Sequence, residues 1–101
     1  MATRYSSFAD FYPYYLSEHS DRTCRRLHFL GTALVIATAA YALVSREFML
    51  LWLLPVLGYG FAWAGHFFFE HNRPATFKYP VYSLLGDFVM FRDMLTGRIA
   101  F

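Results

Sequence analysis

The sequence predicts an all-α integral membrane protein: a helical hairpin of two transmembrane helices, flanked by an N-terminal interfacial helix and a C-terminal amphipathic helix. Two observations carry this prediction. Only 16% of the 101 residues are charged, against roughly 25% in soluble domains. In addition, residues 27–45 and 48–69 contain no Asp, Glu, Lys or Arg, and about 20 apolar residues suffice to cross a bilayer. We therefore expect residues 1–101 to form a single integral membrane domain, with spans at approximately 27–45 and 48–69.

Composition also excludes several classes of protein. The formal net charge is only +2, and the aromatic residues lie in long uncharged runs rather than among cations, so we expect no nucleic-acid partner. The single cysteine excludes an intrachain disulfide framework. An aromatic content of 22% excludes a disordered chain. So apolar a chain is expected to lie in membrane lipid.

The N-terminal segment is predicted to form a short interfacial helix, because aromatic residues and one histidine recur at helical spacing. Asp10 is expected to cap this helix, with Pro13 in its first turn. Asp21 is expected to cap the next helix, which leads into the first span. The residues at helical spacing are Phe8, Tyr12, Tyr15 and His19.

The two spans are predicted to form a tight antiparallel hairpin, because only Ser45, Arg46 and Glu47 separate them. Cations cluster at the opposite ends of both spans, so the positive-inside rule places both termini in the cytoplasm. In a bacterium the membrane would be the inner membrane. The cations are Arg22, Arg25 and Arg26 before the first span, and Arg73 and Lys78 after the second.

The C-terminal segment is predicted to form an amphipathic helix that begins at Pro80. Its charged residues Asp87, Arg92 and Asp93 favour a position at the membrane interface, although a third span is left open. The apolar stripe of this helix consists of Val81, Leu84, Leu85, Phe88 and Leu95.

Four histidines, His19, His28, His66 and His71, are predicted to lie near the same membrane face. His28 precedes Arg46 by 18 residues and His66 follows it by 20, so at about 1.5 Å per residue the two lie level in the hairpin. Small residues mark where membrane helices approach closely, and here they form stripes that turn the histidines inward. The stripe on the second span is Gly58, Ala62, His66 and Glu70, and that on the first includes Cys24, His28, Thr32 and Val35.

A cluster of imidazoles with one carboxylate is suited to Fe(II), Zn(II) or Mn(II), and open coordination positions on such an ion allow oxygenase chemistry. The predicted metal ligands and catalytic residues are His19, His28, His66 and Glu70. The alternative is that these histidines hydrogen-bond across helices or contact lipid headgroups.

For each of the other residues near this cluster, the sequence leaves two alternative roles open. His71 points about 140° away from His66 around a helix, so it is expected to contact a headgroup or at most to support a ligand. Asp87 is either a hydrogen-bond partner of a ligand histidine or part of the polar side of its helix. Cys24 is either a ligand or a small residue at the helix contact. Three arginines could bind a substrate carboxylate or act only as topology determinants: Arg25, Arg26 and Arg73.

Three segments of the chain form a pattern: Phe11-Tyr12-x-x-Tyr15-Leu16-x-x-His19, then His28 and Gly31, and then Gly65-His66-x-x-x-Glu70-x-Asn72-x-Pro74-Ala75. This pattern resembles the 2-hydroxy fatty acid (2-hydroxy-palmitic acid) dioxygenases, formerly a domain of unknown function, over nearly the whole chain. The resemblance implies an Fe(II)-dependent membrane enzyme that shortens a 2-hydroxy long-chain fatty acid by one carbon with O2, in fatty acid α-oxidation. The matching site positions are His19, His28, His66 and Glu70, whereas Cys24 and His71 depart from the family pattern.

Two other functions stay open at this point. Level histidines on facing helices, His28 and His66, also suit a b-type haem in an electron-transfer protein, although small residues at the helix contact indicate too little separation for a macrocycle. The third function is that of a small non-catalytic membrane adaptor, whose hairpin binds a larger protein. Homo-oligomerisation is also left open.

Overall fold

The computed structural model describes residues 5–101, which form helices and turns. The predicted all-α class, the hairpin and the two flanking helices are confirmed. The helices are α1 (Phe8–Ser17), α2 (Arg22–Ser45), α3 (Leu53–Gly65) and α4 (Pro80–Leu95). Three shorter segments complete the path: a 3₁₀ helix Phe48–Trp52 that leads into α3, a π-helix His66–Glu70 that continues α3, and a 3₁₀ turn Ala75–Phe77 before α4.

Helices α2 and α3 form the predicted hairpin and make the most extensive contact between elements. The chain reverses at Arg46, whose backbone is left-handed with φ 60°. Residues Arg22–Ser45 and Phe48–Glu70 are each long and apolar enough to cross a membrane by length and composition. Only 22% and 11% of their most apolar windows are buried in the protein. A soluble helical core buries such helices, whereas most of this apolar surface faces outward.

Two glycines allow α2 and α3 to approach each other closely. A Cβ atom on Gly31 would lie 3.0 Å from the carbonyl oxygen of Leu57 and 3.0 Å from Cβ of Phe61. A Cβ atom on Gly65 would lie 3.0 Å from Sγ and 3.1 Å from Cα of Cys24. Because these neighbours include backbone atoms, a side chain at either position would displace the opposite helix by at least a few tenths of an ångström. The predicted contact through small residues is therefore present close to His28 and His66.

The beginning of α1 differs from the prediction. Its cap is Ser7, whose backbone is extended and whose hydroxyl accepts a hydrogen bond from the N–H of Asp10 at 3.2 Å. Pro13 lies inside the helix rather than in its first turn, on an exposed face. The cap of α2 is Asp21 as predicted, because its carboxylate accepts a hydrogen bond from the N–H of Cys24 at 2.9 Å.

Helix α1 packs on α4 through a small aromatic and methionine core. Phe11 and Tyr15 are buried against Met90 and Met94. The ring of Tyr15 lies so close to α4 that a Cβ atom on Gly86 would be 2.8 Å from it. This contact fixes α1, and the histidine that follows it, against the rest of the protein.

Much of the apolar stripe of α4 is exposed at the surface of the protein. Val81, Leu84 and Leu95 are more than half exposed, while the side that packs inward carries Ser83, Gly86 and the core methionines. Among residues 5–101, the two hairpin segments meet the length and composition of a membrane span, and the 16 residues of α4 do not. The outward stripe therefore fits the predicted interfacial helix rather than a third span.

Candidate metal centre

Three histidines meet where α1, α2 and the π-helix converge. His19 follows the last turn of α1, His28 lies in the second turn of α2, and His66 begins the π-helix. The Nε2 atom of His19 lies 3.1 Å from Nε2 of His28 and 3.0 Å from Nε2 of His66. All three residues are at most 3% exposed. The fold thus brings residues 19, 28 and 66 to one level and into one enclosed site.

The Nδ1 atoms of two of these rings lie at backbone carbonyls. Nδ1 of His19 is 2.6 Å from the carbonyl oxygen of Tyr15, and Nδ1 of His28 is 2.8 Å from that of Cys24. Because a carbonyl oxygen only accepts, both Nδ1 atoms carry the proton. Burial lowers the pKa of His19 well below its usual value, as do the neighbouring imidazoles, so this ring is neutral. A neutral ring protonated at Nδ1 presents a lone pair at Nε2.

The third ring is oriented by a side chain. Nδ1 of His66 lies 2.7 Å from Oδ1 of Asn72. The amide nitrogen of Asn72 donates to the carbonyl oxygen of Glu18 at 3.0 Å, which fixes the amide so that its oxygen faces the imidazole. His66 therefore also carries its proton at Nδ1 and presents Nε2 as a lone pair.

Three lone pairs directed at one another repel unless a cation or a proton lies between them. Two nitrogen ligands held at right angles about 2.1 Å from one ion are about 3.0 Å apart, which matches the Nε2 separations of His19 from the other two histidines, 3.0 and 3.1 Å. All three ligand atoms lie within 4.8 Å of one another. Each ligand histidine in metalloproteins commonly donates its other N–H to an oxygen acceptor, and all three do so here. The donor set fits a divalent first-row transition metal such as Fe(II), Zn(II) or Mn(II).

The π-helix and the turn after it place the side chain of Asn72 next to the ring of His66. His71 follows the π-helix in a left-handed conformation with φ 60°, and the N–H of Asn72 then donates back to the carbonyl oxygen of His66 at 3.0 Å. This reversal carries the amide of Asn72 to the imidazole of His66. Asn72 belongs to the family motif but is not among the predicted site residues, because a regular helix would not bring residue 72 back to residue 66.

Glu70 does not lie with the three histidines. Its carboxylate accepts hydrogen bonds from the N–H of Asp21 and from the hydroxyl of Ser20, at the N-terminus of α2, where a negative charge is favourable. The prediction assumed a regular α-helix, in which residue 70 lies on the same face as residue 66. The π-helix has a wider turn, which moves Glu70 off that face and toward α2.

The other weak candidates also lie outside the histidine cluster. His71 is exposed. Arg25 donates to the carbonyl oxygens of Ser20 at 2.8 Å and of His19 at 3.4 Å, so it supports the turn that carries His19. Arg26 donates to the carbonyl oxygen of Phe101, and Arg73 lies over the ring of Phe77. Their proposed role in binding a carboxylate stays a prediction.

Asp87 and Cys24 take the two structural roles that the sequence left open. Asp87 accepts a hydrogen bond from the hydroxyl of Tyr15 at 2.5 Å, and the ring of Tyr15 stacks on His19 at 3.9 Å, so Asp87 supports a cluster histidine through Tyr15. Burial raises the pKa of Asp87 to about 6, although the Tyr15 hydrogen bond opposes this shift. Cys24 lies against Gly65 at the helix contact.

A cavity of about 10 Å³ adjoins the three imidazoles and is also lined by Asp87 and Trp63. This volume accommodates about one water molecule or one ion. The ring centroids of His28 and His66 are 4.9 Å apart and the rings are perpendicular. A porphyrin plane does not fit between them, so the haem alternative does not agree with the geometry.

The fold and the site together define a small helical hairpin protein with a buried three-histidine centre. A family model described as 2-hydroxy-palmitic acid dioxygenase Mpo1-like matches residues 5–99. The chain therefore belongs to this Mpo1-like family, which confirms the resemblance seen in its motifs. Searches of the curated proteins and of the solved structures found no significant match.

Replacement of Asn72 by alanine is expected to weaken metal binding by about 10- to 100-fold, because it removes the acceptor that orients His66. Asn72→Asp retains an oxygen acceptor for His66 but loses the hydrogen bond to the carbonyl oxygen of Glu18, so it should recover only part of the affinity. Competition against a chelator of known affinity measures both variants. Equal affinities of Asn72→Ala and the wild-type protein would show that Asn72 does not support the site.

The contribution of Asp87 to the stability of the metal-free protein is expected to decrease as the pH rises from about 4 to 6, whereas the buried, neutral His19 contributes in the opposite direction. The pKa of Asp87 is raised from 3.8 to about 6 in the folded protein, so the folded state binds this proton more tightly than the unfolded state. The resulting stabilisation is present below pH 4 and is lost as the pH passes 6. At about 1.4 kcal/mol per pKa unit, the shift corresponds to about 3 kcal/mol.

Asp87→Asn cannot ionise, and its side-chain oxygen still accepts the hydrogen bond of Tyr15. Its melting temperature in detergent should therefore rise relative to that of the wild-type protein as the pH increases over this range, and should exceed it at about pH 7.5. Chelator-treated samples are needed, since a bound cation would hold Asp87 ionised. If the melting temperatures of the two proteins changed with pH by the same amount, this account of Asp87 would be contradicted.

Proposed function

We propose that this protein is an Fe(II)-dependent membrane dioxygenase that acts on 2-hydroxy long-chain fatty acids and shortens them by one carbon. The observation that carries the proposal is the buried convergence of three Nε2 lone pairs, from His19, His28 and His66, each fixed by an oxygen acceptor at Nδ1. Membership of the Mpo1-like family supports the choice of substrate class.

The three histidines would hold the metal on one side and leave its other positions open. When bound, Fe(II) supplies a site for O2 and for the hydroxyl and carboxylate oxygens of a 2-hydroxy acid. The reaction balances without a further reductant: one 2-hydroxy acid and one O2 give the acid one carbon shorter, CO2 and water. The protein contributes rigid ligands, and its small, buried site excludes bulk water from the reacting atoms.

Asp87 is the group beside the site that can accept a proton. It is hydrogen-bonded to Tyr15 and lines the cavity of the three histidines. With a pKa of about 6, it is ionised at neutral pH, so it is suited to accept the proton of the substrate hydroxyl. We assign it this role within the proposal.

The hairpin is proposed to lie in the membrane with both termini in the cytoplasm. The outward apolar surfaces of both long helices support insertion, and the cations before α2 and after the π-helix support the orientation. The metal centre then lies at the cytoplasmic face, where the interfacial helix α1 reaches the hairpin. A 2-hydroxy fatty acid in the same leaflet would present its polar head at this level.

Anaerobic purification followed by reconstitution with Fe(II) tests the proposal. Addition of a 2-hydroxy long-chain fatty acid and O2 should yield the acid one carbon shorter, detected by mass spectrometry, with one O2 consumed per product. The same protein should not shorten the corresponding acid that lacks the 2-hydroxyl group. Tight iron binding without any product from 2-hydroxy acids would refute this substrate assignment.

A further inference from the structure

A second cavity, an apolar groove of about 270 Å³, lies between α2, α3 and α4. Its wall on α2 includes Val35, its wall on α3 includes Leu54, Pro55 and Gly58, and its wall on α4 includes Leu84 and Phe88. The groove is more than twenty times larger than the cavity at the histidines. It is therefore large enough for a chain of several methylene groups.

The groove adjoins the candidate metal centre. His28, Tyr59 and Asp87 line both the small cavity at the imidazoles and the groove. These residues and Thr32 are the polar members of the groove lining, so its polar end is the metal centre and its remainder is apolar. A ligand with a polar head and an apolar tail matches this distribution of polarity.

The groove extends along the hairpin, away from the histidines. Its lining on α2 runs from His28 to Val35, which corresponds to about 10 Å at 1.5 Å per residue. On α3 it reaches Leu54, twelve residues before His66, which corresponds to about 18 Å. The groove therefore follows the direction in which an acyl chain lies in a bilayer, with its head at the metal centre.

Gly58 keeps the middle of this groove open. A Cβ atom at this position would have a single neighbour within 4 Å, Cγ2 of Val35 at 3.5 Å, so the backbone does not require glycine for close helix contact here. A larger side chain would instead project into the groove. Gly31 and Gly65 differ in this respect, since both are pressed against the opposite helix.

We propose that this groove binds the acyl chain of the substrate, with a long chain passing beside Gly58, and that Gly58 determines whether a long chain can enter. The proposal rests on the proposed function, because it takes the polar head of the ligand to be a 2-hydroxy acid at the metal centre. The part of a long chain beyond the groove lies in the surrounding lipid.

The test uses the full-length protein in phospholipid nanodiscs, loaded with Fe(II) and kept anaerobic, and a 2-hydroxy fatty acid with a mid-chain diazirine. After photolysis, peptide mass spectrometry locates the label. We expect labelling of the groove walls at Val35, Leu54 or Phe88, and competition by unlabelled 2-hydroxy fatty acid. A label spread over the outward faces of α2 and α3, or equal competition by added phospholipid, would overturn the proposal.

Gly58→Leu should reduce groove labelling by at least tenfold and should leave the iron content unchanged. Gly60→Leu is the matched control, because it lies on the same helix and a Cβ atom there has no neighbour within 4 Å. This control should label like the wild-type protein. Unchanged labelling of Gly58→Leu with an intact iron content would also overturn the proposal.

Turnover, measured on the same samples with O2 and 2-hydroxy acids of increasing length, separates this proposal from the proposed function. We expect Gly58→Leu to lose at least tenfold in kcat/KM for long chains and little for chains too short to reach Gly58. Groove labelling by the 2-hydroxy acid without turnover would support the acyl site and refute the dioxygenase chemistry. Turnover with an identical chain-length profile in Gly58→Leu would refute the acyl site alone.

Discussion

His66→Ala is expected to lower the affinity for Fe(II) by more than about 100-fold. It removes one of three buried Nε2 ligand atoms, and loss of even a supporting partner of a ligand costs about 10- to 100-fold. The remaining pair, His19 and His28, cannot enclose an ion from three sides. Elemental analysis of anaerobically purified protein, with chelator competition, measures the loss, and product formation from a 2-hydroxy acid should disappear with it.

The control for this variant is His71→Asn. His71 is close in sequence, exposed, and left-handed at φ 60°, a conformation that asparagine tolerates well. The His71→Asn variant should retain iron at the wild-type level. An iron content that is the same in His66→Ala as in the wild-type protein, or that falls equally in both variants, would count against a three-histidine metal site.

Gly65→Val is expected to destabilise the protein by about 3 kcal/mol, at the upper end of what overpacking of a core usually costs. A Cβ atom at this position already lies 3.0 Å from Sγ and 3.1 Å from Cα of Cys24, and the branched side chain would force α2 and α3 apart. Because His28 is one turn from Cys24 and His66 follows Gly65, the same displacement should also weaken metal binding.

Gly60→Val is the matched control for Gly65→Val. A Cβ atom on Gly60 has no neighbour within 4 Å, so the added side chain faces outward. Thermal unfolding in detergent should show a melting temperature for Gly65→Val that is lower by more than about 10 °C, with little change for Gly60→Val. Equal melting temperatures of the two variants would show that the helix contact at Gly65 tolerates a side chain.

Regular helix geometry was sufficient to predict the main features of this protein. Two uncharged windows separated by three residues predict a hairpin, and equal distances from the turn predict that His28 and His66 lie level. Both statements depend only on a constant rise per residue, which α2 and α3 largely follow. The position of His19 followed from the aromatic spacing of α1 and from the cap at Asp21.

The remainder of the site depends on a departure from regular geometry. The π-helix His66–Glu70 and the left-handed His71 move Glu70 away from the histidines and bring Asn72 back to them. No periodicity in the sequence indicates a π-helix, because the hydrogen-bond register is decided by the local packing. The cap of α1 could not be chosen from the sequence either. Ser7 and Asp10 are both good capping residues, and only the backbone conformation shows that Ser7 is the cap.

The three Nε2 atoms come from parts of the chain that otherwise have different surroundings: a surface helix for His19 and the apolar hairpin for His28 and His66. A single bound ion would therefore fasten the N-terminal helix to the embedded hairpin, and its binding energy would add to the stability of that attachment. Loss of the ion would weaken this attachment, while the packing of Phe11 and Tyr15 on α4 would still hold the helix in place. Metal occupancy would then change how firmly the surface helix is held, and not whether it is held.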